Sequence, residues 1–566
     1  MHGLKRAPEG NVARRLSGSS RRCPASPAAR CRLWRCSRHG KSRPHAVPGR
    51  TLNVMAVGGG RGMGKDNAAG RQLIAEKLVL WYVPLVFAAL FIWGSVLQMR
   101  SFVINDADFS YFLTQIWRVW NGWDWRTPFA DVYEGHPFYA HHCTPLTALL
   151  APLVGPWKSP YALSLLHGAA TGAMAFVLPR LVRALYAEAG ETSGSNWVWT
   201  AGVALVLFFF FRPVLTPWSR QTHYTTLVTP VLMLAVLMLH RRRWWALAAC
   251  CFVVLMAQER AAPSIFSLGM YAFLLLGLRR AGLVLCAVSG LWFIAVTKVW
   301  LPYMRHLAGG GAGYAFEHFM DARGGWHNKL SYYLRLLAYS WFLPLLGRKA
   351  LLCLLCTLPY LAMVAVSGYG QMWAMAGQYE DLPGVFLLLA ICHACMWVQG
   401  RLRPAVWKKL LPAACVLMAA IMLATQTGWY NPAVTVARLL QHPDAAAYAR
   451  LRDSLGRLPD FSPSVRVWVQ SGLGPHVFYP YQRFAADINA MQGPLGDDVV
   501  IISPYAGTNF LVRNGGGVSR GEFDEAMAFF DAHPDLMRVK NDGVLIVYAG
   551  KKLQTTQPDL VRDLSR

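Results

Sequence analysis

Residues 240–280 read HRRRWWALAACCFVVLMAQERAAPSIFSLGMYAFLLLGLRR. Two apolar runs, 244–257 and 262–278, are parted only by a short polar step, and arginines bound the pair at both outer ends. A bilayer accepts long apolar helices and rejects unpaired charge. The stretch therefore reads as a membrane hairpin with basic ends on one side and Gln258-Glu259-Arg260 on the other. With almost no loop around them, Glu259 and Arg260 lie close to hydrocarbon, so their charges face a partner or a cavity.

Working outward, the same grammar repeats. Apolar runs near 78–98, 160–179, 196–215, 223–240, 244–257, 262–278, 281–303, 331–346, 350–367, 383–399 and 410–426 give about eleven spans. The run 144–156 is short and Pro-rich and reads as a re-entrant or interfacial piece. Lys and Arg mark cytoplasmic loops. With the N-terminus inside, those loops hold Arg180 and Arg183, Arg241–Arg243, Arg279 and Arg280, Arg348 and Lys349, and Arg401 to Lys409, so every second loop is basic. The opposite loops hold the acids and imidazoles, among them Asp106, Asp108, His141, His142, Glu259, Glu380 and Asp381.

The composition agrees. Of 566 residues 54% are hydrophobic and 15% charged, against about 25% charged in a soluble protein. Of the net +27, +14 lies in residues 1–75, which hold 16 Lys/Arg and 2 Asp/Glu in a Ser-, Pro- and Gly-rich setting. That segment reads as a disordered basic tail, equally well explained by a start at Met55 or Met63. The sequence assigns it no function, and no nucleic-acid partner is expected. Residues 431–566 hold 14 charges of each sign. With strands expected at 465–470, 499–503 and 544–548 and a helix at 522–532 ended by His533-Pro534, they read as a small α/β domain outside the membrane. The expected division is 1–75 tail, 76–430 membrane domain and 431–566 outer domain, in a bacterial inner membrane with the N-terminus cytoplasmic.

Cys353 with Cys356 and Cys392 with Cys395 have the spacing of metal pairs, yet both fall within apolar runs and read as packing. The first outer loop is more informative. Asp108, Phe112 and Gln115 recur at helical spacing, so Asp108 sits near the start of an interfacial helix whose positive end favours a carboxylate. An N-cap is the simplest role for one such residue. Two acids, Asp106 and Asp108, just after the first span suit a general base on an acceptor hydroxyl or a hold on a divalent cation. Arg220 or Arg260 suits a leaving phosphate.

At these residues the chain resembles the predicted membrane proteins of the domain-of-unknown-function two-thousand-seventy-nine family, itself similar to the GT-C superfamily of polytopic glycosyltransferases. Asp108-Phe109-Ser110 with Gln115 matches the family's early Asp-Leu-Gly…Gln pattern, and His142-Cys143-Thr144-Pro145 its His-Phe-Ser-Pro element. Its later elements fall on 221–225, where His223 is retained, on Gln258-Glu259-Arg260, where Glu259 is retained, and on Gln378-Tyr379-Glu380-Asp381. The resemblance implies a GT-C-like fold using a polyprenyl-phosphate-linked sugar at the non-cytoplasmic face, with an acidic residue in the first outer loop. Asp108 and Asp106 are then the expected catalytic pair, with Gln115, His142, His223, Glu259, Arg260 and Tyr379 lining the donor or acceptor cavity. Two rival readings are a solute or lipid transporter, which usually shows internal repeats, and a non-catalytic scaffold, favoured where motif acids are replaced.

Overall fold

The computed structural model describes residues 63–104, 107–122, 142–191, 196–220, 223–307, 325–368, 372–373, 379–402, 404–425, 431–462, 464–470, 472–477, 494–506 and 520–566. Residues 1–62 of the basic tail, Asp106, His141 and the side chain of Asp108 lie outside that description.

Every apolar run read from the sequence contains α-helix. Helix α1 (Met63–Lys77) passes through a π turn (Leu78–Tyr82) into α2 (Val83–Arg100), and α3 (Ala107–Trp120) follows. The bundle continues through α4 (Leu146–Val154), α5 (Pro160–Glu188), α6 (Asn196–Phe209), α7 (Arg212–Arg220), α8 (Tyr224–His240), α9 (Trp244–Leu255) and α10 (Ala262–Leu274). It is completed by α11 (Arg279–Ile294), α12 (Leu301–Leu307), α13 (Trp326–Tyr339), α14 (Arg348–Leu355), α15 (Leu358–Val366), α16 (Asp381–Arg401) and α17 (Pro404–Thr425). Among the described residues four helices are long and apolar enough to cross a bilayer, and six if each bent pair is one span. The short piece after residue 144 is the nine-residue α4.

Three expected spans are broken: 350–367 bends by 45° between α14 and α15, and the other two break for visible reasons. The run 196–215 bends by 44° between α6 and α7. Pro213 has no N–H to give the Phe209 carbonyl four residues before it, which favours a kink at this point. The run 331–346 stops at Tyr339, where Trp341 and Phe342 take φ of 56° and 53°. Left-handed backbone cannot continue a right-handed helix.

Close helix packing centres on α2 and α5. A Cβ on Gly168 would meet Ile92 Cα at 2.7 Å, and one on Gly172 would meet Ala88 Cα at 2.7 Å. These residues form a Gly-x-x-x-Gly face, a device of membrane helices that lets backbones touch. The sequence reading did not single it out.

The C-terminal lobe begins with α18 (Pro432–Leu440) and α19 (Ala445–Gly456), followed by β1 (Arg466–Val469), β2 (Asp498–Ile502), α20 (Arg520–Ala532), β3 (Leu536–Asn541), β4 (Ile546–Gly550), α21 (Lys551–Thr556) and α22 (Pro558–Ser565). The sheet order is β1-β2-β4-β3, with β1 parallel to β2 and the other pairs antiparallel. Leu451, Leu553 and Leu564 cover one face of the sheet, and Ala526 and Phe530 the other. Strand β3 was missed, because Leu-Met-Arg-Val-Lys-Asn is a half-exposed edge with a weak apolar pattern.

Asn431 joins lobe to bundle. Its Oδ1 accepts the amide protons of Ala433 and Val434, capping α18, and its Nδ2 donates to the Phe209 carbonyl at 3.3 Å. That carbonyl lies at the bend between α6 and α7, where a helical partner is lost. Phe102, just past α2, enters the lobe core and stacks at 4.3 Å on His476. Burial, then the Arg452 charge, pushes His476 down to about 3, so it packs as a neutral ring.

Candidate functional site

Helix α3 does not lie at an open interface as expected. From Phe109 to Arg118 each side chain is 3% exposed or less. Phe112, Leu113 and Ile116 belong to the bundle core, while Tyr111 belongs to the lobe core. The lobe therefore shuts α3 into the interior at the bundle's lobe end. Asp108 is the second residue of α3, one turn before Phe112. The Phe112 ring meets the His223 ring edge-on at 5.1 Å, and its carbonyl accepts from the Tyr224 hydroxyl. Gln115, one turn further, is buried with both amide atoms unpartnered.

The tight turn between α9 and α10 meets the segment before α4 at the same end. Glu259 Oε1 lies 2.7 Å from His142 Nδ1, and Oε2 accepts the Cys143 amide proton at 3.0 Å. The Leu146 amide donates to the Met256 carbonyl at 2.9 Å, adding a second tie. Burial pushes the Glu259 carboxyl up, but the His142 charge and hydrogen bond outweigh it and leave it below its ordinary value. Burial, then Glu259, pushes the Cys143 thiol up to about 12, so it stays protonated.

Arg260 points into the protein. Its Nε donates to Gln258 Oε1 at 2.7 Å and one Nη to the Thr225 hydroxyl at 2.6 Å. The guanidinium lies 4.9 Å from the Tyr379 ring centroid, and its Nη1 is buried without a partner. Gln258 Nε2 lies 2.8 Å from the same His142 Nδ1 that faces Glu259; with a proton on that nitrogen the bond goes to Glu259, and Gln258 then serves Arg260 alone. His223 lies within reach of the charges of Arg260, His142 and Glu259.

Two acids complete the group at the start of α16. Asp381 accepts from the Thr226 hydroxyl at 3.3 Å and from the Leu382 amide at 2.7 Å. Glu380 is 1% exposed, and neither carboxylate oxygen has a partner. Burial, then Asp381, pushes its carboxyl up to about 8, with Arg260 and Arg212 pulling the other way. The hydroxyls of Tyr332 and Tyr360 are likewise buried and unpartnered. Orphaned polar groups in a core cost about 1–3 kcal/mol each unless a ligand or water satisfies them. Arg260, Glu380, Tyr332 and Tyr360, which feel one another's charge, together form a cluster of buried polar groups with unspent bonds.

His142, His223, Glu259, Arg260 and Tyr379, read from the sequence, are thus brought together. Gln115 is buried on the α3 stripe that carries Phe112, and Asp108 has its backbone on that stripe. The sequence reading placed Glu380 and Asp381 among the outer-face acids and in a motif without a role, held Thr225 only as part of the element at 221–225, and passed over Tyr332 and Tyr360. A Thr or Tyr in an apolar run carries little signal, whereas the adjacent acids before the 383–399 run stand out by charge alone. Among the described residues no three of His, Cys, Asp and Glu gather to hold a metal.

No curated protein matches the chain. Among solved structures it is similar to ArnT from Cupriavidus metallidurans bound to undecaprenyl phosphate, with 15% identity and a TM-score of 0.44, over 83% of this chain and 97% of that one. The family of predicted membrane proteins DUF2079 matches residues 98–441, more than half of the sequence. The chain belongs to the DUF2079 family of membrane proteins.

Proposed function

We propose that this protein is a membrane glycosyltransferase that takes a sugar from a polyprenyl-phosphate donor and passes it to an acceptor hydroxyl at the non-cytoplasmic face. The observation that carries this reading is Arg260. It is a buried guanidinium with one N–H group unspent, set beside buried acids at the end of the bundle where α3 begins. A phosphate is one of the anions whose geometry a planar, always-charged fork matches.

In this reading eleven helices cross the membrane, residues 76–430 form the membrane domain and 431–566 the outer lobe. The acceptor oxygen attacks the anomeric carbon while the bond from that carbon to the phosphate oxygen breaks. Asp108 takes the hydroxyl proton, with Asp106 in support. Arg260 meets the negative charge of the departing polyprenyl phosphate. Gln115, His142, His223 and Tyr379 position donor and acceptor, and Glu259 holds His142 in place. Each of these steps belongs to the chain's own side chains, and none is routed through a metal.

The test is turnover by the purified protein with a panel of polyprenyl-phosphate sugars. Transfer that Asp108→Asn and Arg260→Ala each abolish supports the reading. No turnover with any donor, together with unchanged surface glycans after deletion, overturns it.

A further inference from the structure

The opposite end of the bundle carries a second built site. Helix α5 starts at Pro160 beside the lobe, where Tyr161 faces His476. At 1.5 Å per residue, Arg180 lies about 30 Å further along, near the far boundary of a bilayer core. There a cavity of about 590 Å³ is lined by Leu80, Trp81, Arg180, Arg183, Glu188, His240, Arg241 and Arg242. Four guanidiniums meet one carboxylate, and that carboxylate is taken: Glu188 Oε2 lies 2.9 Å from His240 Nδ1.

Cytoplasmic arginines need no cavity to set topology. Three local features show more than that. The Arg180 guanidinium lies 4.4 Å from the Trp81 ring centroid and also donates to the Leu80 carbonyl, within the π turn that interrupts α1 and α2. Such turns free backbone groups and recur at functional sites. Arg242 holds φ of 56°, a conformation that glycine adopts more cheaply, and yet an arginine stands there lining the cavity. Finally, Leu78, Trp81, Tyr82 and Leu85 form an exposed apolar strip beside the cavity.

We propose that this cavity binds the phosphate headgroup of an anionic phospholipid, with Arg180, Arg183, Arg241 and Arg242 around the phosphate and an acyl chain along Leu78, Trp81, Tyr82 and Leu85. A free phosphate shares the headgroup chemistry but has no use for the apolar strip. Basic pockets between membrane helices are the expected form of an anionic-lipid site.

The test is native mass spectrometry of the full chain in detergent, titrated with phosphatidylglycerol, phosphatidylcholine or inorganic phosphate. The wild type should retain phosphatidylglycerol in preference to phosphatidylcholine. The exposed pair Arg241→Gln with Arg242→Gln should weaken phosphatidylglycerol about thirtyfold, at roughly fivefold per arginine, and leave phosphatidylcholine unchanged. Arg279→Gln with Arg280→Gln, outside the cavity lining, should keep the preference. Arg242→Gly should raise the melting temperature by relieving the left-handed residue and still weaken phosphatidylglycerol, a split that a structural role would not give. Equal retention of both lipids, or an unchanged affinity in the Arg241/Arg242 variant, overturns the proposal. Inorganic phosphate binding without a lipid preference overturns it in favour of a soluble anion.

Discussion

Glu259 Oε1 stands 2.7 Å from His142 Nδ1, across 117 positions of sequence, while its other oxygen holds the Cys143 amide. One carboxylate therefore fixes the segment that leads into α4 against the turn between α9 and α10. Because His142 is partly exposed, the ion pair is screened and the amide bond carries a good share of the effect.

The Glu259 clamp has a defined pH dependence. Its folded value is below the ordinary 4.5, so its stabilisation is complete above 4.5 and is lost as pH falls through the lower folded value. Glu259→Ala should cost about 1–3 kcal/mol near neutrality. Its melting temperature should fall less on acidification than that of the wild type, as followed by thermal unfolding across the acid range.

Glu380 has the opposite sign. Its folded value of about 8 lies above the ordinary 4.5, so between these values the folded state holds a proton that the unfolded chain has released. Stability contributed by this group falls as pH rises through that window. Glu380→Gln keeps the shape without the charge. Its melting temperature should be flatter between 4.5 and 8, and at the alkaline end it should exceed that of the wild type. A parallel pair of melting curves would contradict the assignment.

Arg260 is predicted to be irreplaceable by lysine. The guanidinium serves Gln258 and Thr225 and still has Nη1 to offer. An ammonium cannot span these partners. Arg260→Ala should weaken polyprenyl-phosphate binding by about 2–5 kcal/mol, and Arg260→Lys should recover only part of that, as read by equilibrium binding.

The α2–α5 contact gives a prediction outside the site. Gly172→Leu must push Ala88 backbone aside, since even a Cβ would lie 2.7 Å from its Cα. The loss should be about 1–3 kcal/mol. Gly190→Ala, at a positive-φ turn with open space, should cost less in the same thermal assay.

Hydropathy made the bundle legible, because a long apolar run has few alternatives to a helix once backbone groups must satisfy one another. Charge made its two ends legible: Arg180, Arg241 and Arg242 line one cavity, and Arg260 and Asp381 gather around Thr225 and Thr226 elsewhere. The bend at Pro213 and the break at Trp341 turned on local backbone chemistry inside runs that were apolar throughout. The pairing of His142 with Glu259 left no local trace, since nothing within either segment names a partner so far away. The burial of α3 was equally hidden, because it depends on how the C-terminal lobe docks.

The central claim is that the donor phosphate sits at Arg260. It is tested most directly with a polyprenyl phosphate bearing a photoreactive group beside the phosphate, cross-linked to the full chain and mapped by peptide sequencing. The account predicts adducts on residues 223–226, 258–260 and 379–381, lost in Arg260→Ala. Adducts confined to the cavity of Arg180 and Arg241, or unaffected by Arg260→Ala, would contradict it.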